Sequence, residues 1–152
     1  MKKFFFTHLR GENEVPPVNS TAFGNAKFIS NSKKTKIKFR LEVNNMKDFI
    51  QAHIHFGEKG ENGPILVFLF RADAVSLPGE ERMIACKGVI TGILTNDDMI
   101  DNEKGVDRIS DLIKLMKTGK AYVNVHTEKI SVVRLEDKLK EFFRLNRIIK
   151  VR

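Results

Sequence analysis

Alternating apolar and charged residues mark the clearest secondary structure in this chain. The segment Thr35–Val43 is apolar at every second position: Ile37, Phe39, Leu41 and Val43. The positions between them are charged: Lys36, Lys38, Arg40 and Glu42. Because successive side chains of a β-strand point to opposite faces, this segment should bury one face and expose the other.

Shorter patterns of the same kind predict further strands and, through them, the fold class. These strands are separated by turn residues and cover Lys3–Arg10, Thr21–Ser30, Phe49–Phe56, Ile65–Phe70, Met83–Leu94 and Tyr122–Thr127. Ile65–Phe70 is apolar throughout, which indicates burial on both faces. Small residues at Ala22, Gly24 and Ala26 indicate a bulge or close packing of strands. Many short strands with turn signals between them predict an all-β sandwich.

One or two short helices interrupt the strand pattern. The first is predicted at Thr95-Asn96-Asp97-Asp98, which resembles a capping box with Asp98 in place of the usual glutamate. The second is predicted between a cap at Ser110 and a stop at Gly119. Its apolar stripe consists of Leu112, Ile113 and Met116.

Three of the four histidines lie in two of the predicted strands. His53 and His55 share one face of the first strand, and Ala52, Ile54 and Phe56 share the other. In the second strand His126 shares a face with Asn124, opposite Val123 and Val125. If the two strands lie together, three imidazoles converge beside the core.

Three separated motifs resemble the chordin-type (CHRD) domain in its single-domain microbial form. They are Gly11-Glu12-Asn13-Glu14-Val15-Pro16-Pro17, Ala52-His53-Ile54-His55-Phe56-Gly57 and Tyr122-Val123-Asn124-Val125-His126-Thr127. Their order and spacing match that family, and the likeness runs from Phe4 to Thr127. The resemblance implies an antiparallel, Greek-key-like β-sandwich. It also suggests kinship with the Cu/Zn superoxide dismutase barrel, and it implies no settled biochemical activity.

Two main interpretations of the histidines stay open, beside general acid–base catalysis without a metal. In the first, they form a structural network with loop carbonyls and carboxylates, because buried polar groups must find hydrogen-bond partners. That network would include the residues Glu12, Asn13, Glu14, Gly57, Gly63 and Asn124. In the second, His53, His55 and His126 bind copper or zinc, since imidazole suits both metals and three nitrogen ligands leave one position open.

The metal interpretation follows from a likeness to three copper ligands of Cu/Zn superoxide dismutase, and it would allow redox activity. A complete dismutase is not predicted, because that enzyme also needs a bridging histidine and zinc ligands on a loop. The remaining histidine, His8, lies outside the motifs. The chain has no nucleophile elbow, phosphate loop or Cys-x-x-Cys. We therefore expect a non-enzymatic interaction or structural domain with an unknown protein or surface partner, and metal binding is the alternative.

The net charge of +8 first suggests a nucleic-acid partner, but its distribution argues against one. Residues 129–152 carry eight Lys or Arg and three Asp or Glu, which leaves only +3 for the other 128 residues. We expect a CHRD-like domain at residues 1–128, followed by an atypical basic tail at residues 129–152. No convincing nucleic-acid site is predicted.

Export and membrane signals are weak. The apolar run Phe4–Phe6 is shorter than the roughly 7–15 residues of a signal-peptide core. No segment approaches the ~20 apolar residues of a membrane span. The single cysteine, Cys86, excludes an intramolecular disulfide and is expected to be a small buried residue. We expect a cytoplasmic protein, or one released without a signal peptide.

The sequence after Thr127 departs from the family. There the family continues with a turn and a closing strand that reads roughly Gly-Glu-Ile-Arg-Gly-Gln, whereas this chain continues with Glu128-Lys129-Ile130-Ser131-Val132-Val133. Leu135, Leu139 and Phe142 follow approximate helical spacing, which predicts a poorly packed amphipathic helix. The loss of a closing strand would leave unpaired backbone groups at a sheet edge.

A shift of reading frame would explain this departure. The residues from Val132 to Asp137 can be encoded by GTG GTG AGA TTA GAG GAC. If Ser131 ends in A, the frame that begins one base earlier reads Ser-Gly-Glu-Ile-Arg-Gly and continues with Gln. Our hypothesis is that a base was lost or gained near Lys129–Ser131, so that residues 129–152 are a frameshifted remnant of the closing strand.

Sequencing the gene across codons 128–138 tests this hypothesis. We expect codons whose neighbouring frame encodes Gly-Glu-Ile-Arg-Gly. Codons that do not yield this motif in either other frame would contradict a frameshift and leave the tail as the native sequence.

Overall fold

A computed structural model describes residues 1–13, 17–46, 49–57, 62–71, 87–127, 135–138 and 140–141, and in the last two ranges only the backbone. Within them the chain forms nine strands: β1 Phe4–Arg10, β2 Phe23–Ser30, β3 Ile37–Asn44, β4 Phe49–Phe56, β5 Ile65–Arg71, β6 Lys87–Leu94, β7 Ala121–Thr127, β8 Leu135–Lys138 and β9 Lys140–Glu141. One α-helix, α1, spans Ile109–Thr118, and short 3-10 turns lie at Gly11–Asn13 and Asn96–Asp98.

The strands form an antiparallel β-sandwich, as the sequence predicts. Their hydrogen-bonded order is β5-β4-β7-β8-β1-β2-β3-β6, with β9 pairing with β1. We describe β5-β4-β7-β8 and β1-β2-β3-β6 as two layers, joined where Arg10 of β1 pairs with Glu136 of β8. β6 lies next to β3 and β7 next to β4, so the chain crosses between the layers in the manner of a Greek key.

The alternating pattern of the sequence produces the core. In β3 the apolar residues Ile37, Phe39, Leu41 and Val43 are all buried, and Lys38 and Arg40 are exposed. β1 and β2 alternate in the same way, with Phe5, Leu9, Ala26 and Phe28 inside. β5 buries Leu66, Val67 and Leu69, so both of its faces contribute apolar contacts, as expected. The core therefore lies between the two layers.

Glycines in β2 and β6 allow close contacts rather than breaking the strands. A Cβ at Gly24 would lie 2.6 Å from the carbonyl oxygen of Glu42 and 3.1 Å from the Leu9 side chain. A Cβ at Gly92 would lie 2.6 Å from the ring of Phe39. The expected close packing at Gly24 is confirmed. Gly92 sits inside a continuous β6, because the missing side chain makes room for the aromatic ring.

The helix α1 begins earlier than its sequence predicts. Arg108, not Ser110, is the N-cap residue, and its side chain makes no capping bond. The amide of Ile109 donates instead to the Asn96 side-chain oxygen at 3.0 Å, from 13 positions upstream. The predicted stop is confirmed, since Gly119 has φ 68 and the Lys120 amide donates to the Leu115 carbonyl at 2.9 Å. Leu112, Ile113 and Met116 form the buried stripe.

The other predicted helix is a single 3-10 turn. Asp98 accepts hydrogen bonds from the amide and the hydroxyl of Thr95, at 2.7 and 3.0 Å. The capping box therefore forms, but the helix ends at Asp98. Beyond it the chain joins the β5 edge, where Ile100 donates to the carbonyl of Leu66 at 2.9 Å.

The predicted helical tail is wrong where the structure describes it. Leu135–Lys138 is a strand that pairs antiparallel with β7, from Val125 opposite Leu135 to Tyr122 opposite Lys138. Lys140–Glu141 pairs with Phe5 and Phe6 of β1. This pairing supplies backbone hydrogen bonds between distant segments, which outweigh the local helical spacing. The edges of β1 and β7 that we expected to stay open are occupied along these residues.

Some predictions fall on parts of the chain that lie outside the described residues. They concern Glu14, Cys86, the start of the Met83–Leu94 strand and the tail residues 129–134, 139 and 142–152. None of the described helices combines the length and the apolar character that crossing a bilayer requires.

The close approach of β2 and β3 predicts a cost for any side chain at position 24. We expect Gly24→Ala to lower the free energy of unfolding by about 1–3 kcal/mol, because the methyl group would force the strands apart. Thr91→Ala, at an exposed position of β6, is the control and should change it by only about 0.5 kcal/mol. Urea unfolding measures both, and equal effects would contradict the packing argument.

Candidate functional site

The pairing of β4 with β7 brings the two histidine strands together. His53 lies opposite Asn124, and His55 lies opposite Tyr122. Gln51 lies opposite His126, after a register shift between Phe49 and Gln51. Because opposite residues of an antiparallel pair share a face, all six side chains lie on one face of the sheet. We call the set Gln51, His53, His55, Tyr122, Asn124 and His126 the histidine face.

The opposite face of the same strands anchors the site in the core. Ala52, Ile54, Val123 and Val125 are all fully buried there. A slip of one residue in either strand would exchange these apolar side chains with the histidines. The hydrophobic core therefore fixes the register that places the histidines.

The three imidazoles converge, as the sequence predicts. One ligand nitrogen from each of His53, His55 and His126 lies within 4.8 Å of the other two. The ring centroids of His53 and His126 are 4.6 Å apart, and those of His53 and His55 are also 4.6 Å apart. Phe68 of β5 packs edge-on against His53 at 5.5 Å. Within the described residues this is the one group of three or more metal-ligating side chains.

His55 also holds the loop that follows β4. Its Nδ1 donates to the carbonyl of Gly63 at 2.7 Å, and the amide of Gly63 donates to the Tyr122 hydroxyl at 3.3 Å. The rings of His55 and Tyr122 stack in nearly parallel planes, 4.9 Å apart. The Phe56 amide closes the same loop by donating to Pro64 at 3.0 Å. We call this arrangement around Gly63 the loop clamp.

Position 63 requires glycine. A Cβ there would overlap the carbonyl oxygen of Phe56, so the backbone could not approach β4 as closely as it does. Gly57 is buried at the other end of the loop, and its amide donates to the carbonyl of Lys120 at 3.1 Å. Both glycines thus lie at points where the loop is fastened to the sheet.

The loop clamp determines where the imidazole protons lie. A carbonyl oxygen only accepts, so Nδ1 of His55 carries a proton. In a neutral His55 the Nε2 atom is then an acceptor, and His53 Nδ1, 2.7 Å away, must donate to it. A neutral His53 therefore has its lone pair on Nε2. The contact between His55 and the Gly63 carbonyl therefore assigns the neutral tautomers of both His55 and His53.

Asn124 lies in the middle of the histidine face with an unused acceptor. Its side chain is 1% exposed and faces His53, which is 2% exposed. Its Oδ1 has no hydrogen-bond partner among the described residues. A buried acceptor without a partner is costly, so this atom could accept a hydrogen bond from a donor beyond the described residues.

The other predicted site residues lie elsewhere. Glu12 and Asn13 are exposed in the 3-10 turn after β1, where Glu12 accepts a hydrogen bond from Arg10 at 3.3 Å. Their predicted link to the histidines stays a prediction. His8 is exposed on β1 and hydrogen-bonds to Asn25, apart from the histidine face.

Tyr122 and Phe68 are site residues that the sequence reasoning missed. Tyr122 has a signal, because it lies two and four positions before Asn124 and His126 and so shares their face. No such sequence signal exists for Phe68, because its contact with His53 depends on register shifts in the β4–β5 pairing. Such bulges are not visible in an alternating pattern.

A family model described as the CHRD domain matches residues 5–131. The chain belongs to the CHRD domain family. The match includes both histidine strands, and it ends immediately before Val132, where the shifted reading frame would restore a strand. No curated protein and no solved structure matches this CHRD domain. Kinship with Cu/Zn superoxide dismutase therefore stays a prediction.

The loop clamp predicts a specific cost for losing the His55 donor. In His55→Phe the ring still stacks on Tyr122, but the Gly63 carbonyl loses its partner. We expect the free energy of unfolding to fall by about 1–3 kcal/mol, and the amide hydrogen of Gly63 to exchange faster with solvent. His8→Phe, on exposed β1, is the control. Hydrogen exchange by NMR and urea unfolding measure both, and unchanged exchange at Gly63 would contradict the clamp.

Proposed function

We propose that this CHRD domain is a non-enzymatic interaction module that presents the loop Gly57–Gly63 to a protein or surface partner. The observation that supports it is the loop clamp, in which His55 and Tyr122 hold both polar groups of the Gly63 backbone. Loops on a rigid scaffold are the usual place for recognition. A loop whose two ends are fixed to the sheet has fewer conformations to lose on binding.

Replacing the loop tests this proposal directly. In the variant, residues 58–61 become Gly-Ser-Gly-Ser, while Gly57, Asn62 and Gly63 stay. The control replaces Ser32-Lys33-Lys34 of the β2–β3 turn with Gly-Ser-Gly. Crosslinking in cells of the source organism, followed by mass spectrometry, identifies partners. We expect partners that the wild type and the turn variant share and the loop variant loses. Partners retained by all three would contradict a role for this loop.

Metal binding is the second candidate function, and the convergence of three imidazole nitrogens within 4.8 Å favours it. A tetrahedral ion with bonds of about 2.0–2.1 Å places its ligand nitrogens about 3.4 Å apart. Ligand nitrogens farther apart than this would move closer together, and the 2.7 Å contact between His55 Nε2 and His53 Nδ1 would lengthen. His53, His55 and His126 fit a zinc or copper ion in the nature of their donor atoms.

The loop clamp supports this second function as well as the first. Histidines that bind a metal through one nitrogen usually donate the other N–H to a carbonyl or carboxylate. His55 already does so through Nδ1 and Gly63, which leaves Nε2 as its ligand atom. The unpaired Oδ1 of Asn124 would accept a hydrogen bond from a water molecule in the fourth position. Copper there would supply redox chemistry, and zinc would supply a Lewis acid.

Metal content measured by mass spectrometry tests the second function. The untagged protein is offered copper and zinc separately, and we expect about one equivalent of bound metal per chain. His126→Gln should weaken binding at least about ten-fold, because it removes one of three ligands. His8→Gln is the control and should bind as the wild type does. Equal binding by both variants would contradict a site on the histidine face, and so would the absence of stoichiometric metal.

The two functions are separable. Loss of metal with retained partner capture, or the reverse, would assign them to different atoms of the site. Circular dichroism of each variant shows whether the sheet is still folded.

A further inference from the structure

The exposed large hydrophobic side chains of the described residues share one surface. Met1 apart, they are Phe23 at 45%, Ile29 at 38%, Val89 at 48% and Ile93 at 60% exposure. All four lie on β2 or β6, at positions that alternate with buried residues. They therefore belong to the outer face of the β1-β2-β3-β6 layer, which we call the outer face.

The strand registers arrange this face in rows. One row reads Phe4, Ile29, Lys38 and Ile93 across the four strands, and the next reads Phe6, Lys27, Arg40 and Thr91. The two further rows are His8, Asn25, Glu42 and Val89, and then Arg10, Phe23, Asn44 and Lys87. With the usual strand spacings the face measures about 15 by 20 Å.

Positive charge is concentrated on this face. Its sixteen positions hold five basic residues, Arg10, Lys27, Lys38, Arg40 and Lys87, and one acidic residue, Glu42, which pairs with Arg40. The segment 95–111, which packs on the other layer through β5, holds six acidic and two basic residues. The outer face is thus basic, and the segment 95–111 beside the other layer is acidic.

Apolar side chains among lysines and arginines suit a partner with an anionic surface and an apolar layer below that surface. We propose that the outer face docks on a membrane surface containing anionic phospholipids. The lysines and Arg10 would contact headgroup phosphates, and Ile29, Val89 and Ile93 would enter the boundary with the acyl chains. This inference is independent of the histidine face and of the basic tail.

Two other occupants fit the face less well. In a symmetric dimer, one basic outer face would oppose another, and like charges repel. A single-stranded nucleic acid stacks its bases on aromatic rings, usually in the middle of a sheet. Here the outward positions of β3 are Lys38, Arg40, Glu42 and Asn44, and three of the four exposed apolar residues are aliphatic.

Cosedimentation with vesicles tests the proposal. The full chain is mixed with vesicles of phosphatidylcholine containing 30% phosphatidylserine, or of phosphatidylcholine alone. We expect binding to the anionic vesicles at low salt, little binding to neutral ones, and weakening as salt rises. Each cation near an anionic surface is worth about a five-fold change in partition. Lys27→Glu with Lys38→Glu should therefore weaken binding by about 25-fold or more.

Matched variants separate the outer face from other charges. Lys114→Glu with Lys117→Glu makes the same change of charge on α1 and should bind much more like the wild type. Val89→Thr with Ile93→Thr keeps all charges and strand propensity, and it should also weaken binding, because the aliphatic groups are lost. Thermal unfolding confirms that each variant is folded.

Several outcomes would overturn the proposal. One is no binding to the anionic vesicles. Another is equal loss in the two charge-reversal variants, which would indicate net charge or the basic tail as the cause. Retention of a single-stranded oligonucleotide without vesicle binding would assign the face to nucleic acid. Dimers in sedimentation that Val89→Thr with Ile93→Thr abolishes, again without vesicle binding, would assign it to self-association.

Discussion

The pairing of β4 with β7 is the constraint on which the candidate site depends. Ile54 and Val123 lie opposite each other and are fully buried, and this burial fixes the register of the pair. The same register fixes the pairs on the other face of the sheet, where His53 lies opposite Asn124 and His55 lies opposite Tyr122. A hydrophobic core on one side thereby positions polar chemistry on the other. The cost is Asn124, whose side-chain oxygen is buried without a partner among the described residues.

Period-two alternation made most of the fold predictable. It identified the buried face of β3, the shared face of His53 and His55, and the place of Asn124 beside His126. Each of these follows from backbone geometry within one strand. The end of α1 was also predictable from local backbone geometry, because Gly119 adopts a positive φ that suits glycine.

Long-range contacts explain what the sequence did not reveal. Helix α1 begins at Ile109 because the Asn96 side chain, distant in sequence, accepts its first amide. Leu135–Lys138 is a strand because β7 and β1 offer it hydrogen-bonding edges, and these outweigh an approximate helical spacing. The contact of Phe68 with His53 likewise depends on bulges in β5. None of these is encoded in a local pattern.

One set of atoms serves both functions proposed for the histidine face. The hydrogen bond from His55 to Gly63 fixes one end of the loop, and the same bond orients the imidazole toward His53. A loop partner and a metal ion would therefore act on a common element. If both proposals hold, loop recognition and metal binding would share the hydrogen bond from His55 to Gly63.

The pairing of β1 with β8 and β9, which joins the two layers, has a consequence for how the protein folds during synthesis. β1 meets the C-terminal strands through only three described residue pairs, those of Phe5, Phe6 and Arg10, whereas β1 and β2 share seven. β8 and β9, which pair with β1, are synthesised after all the other described strands. Until then the edges of β1 and β7 are open to pairing with other chains. The nascent domain is therefore most exposed to pairing with other chains in the interval before its last strands emerge.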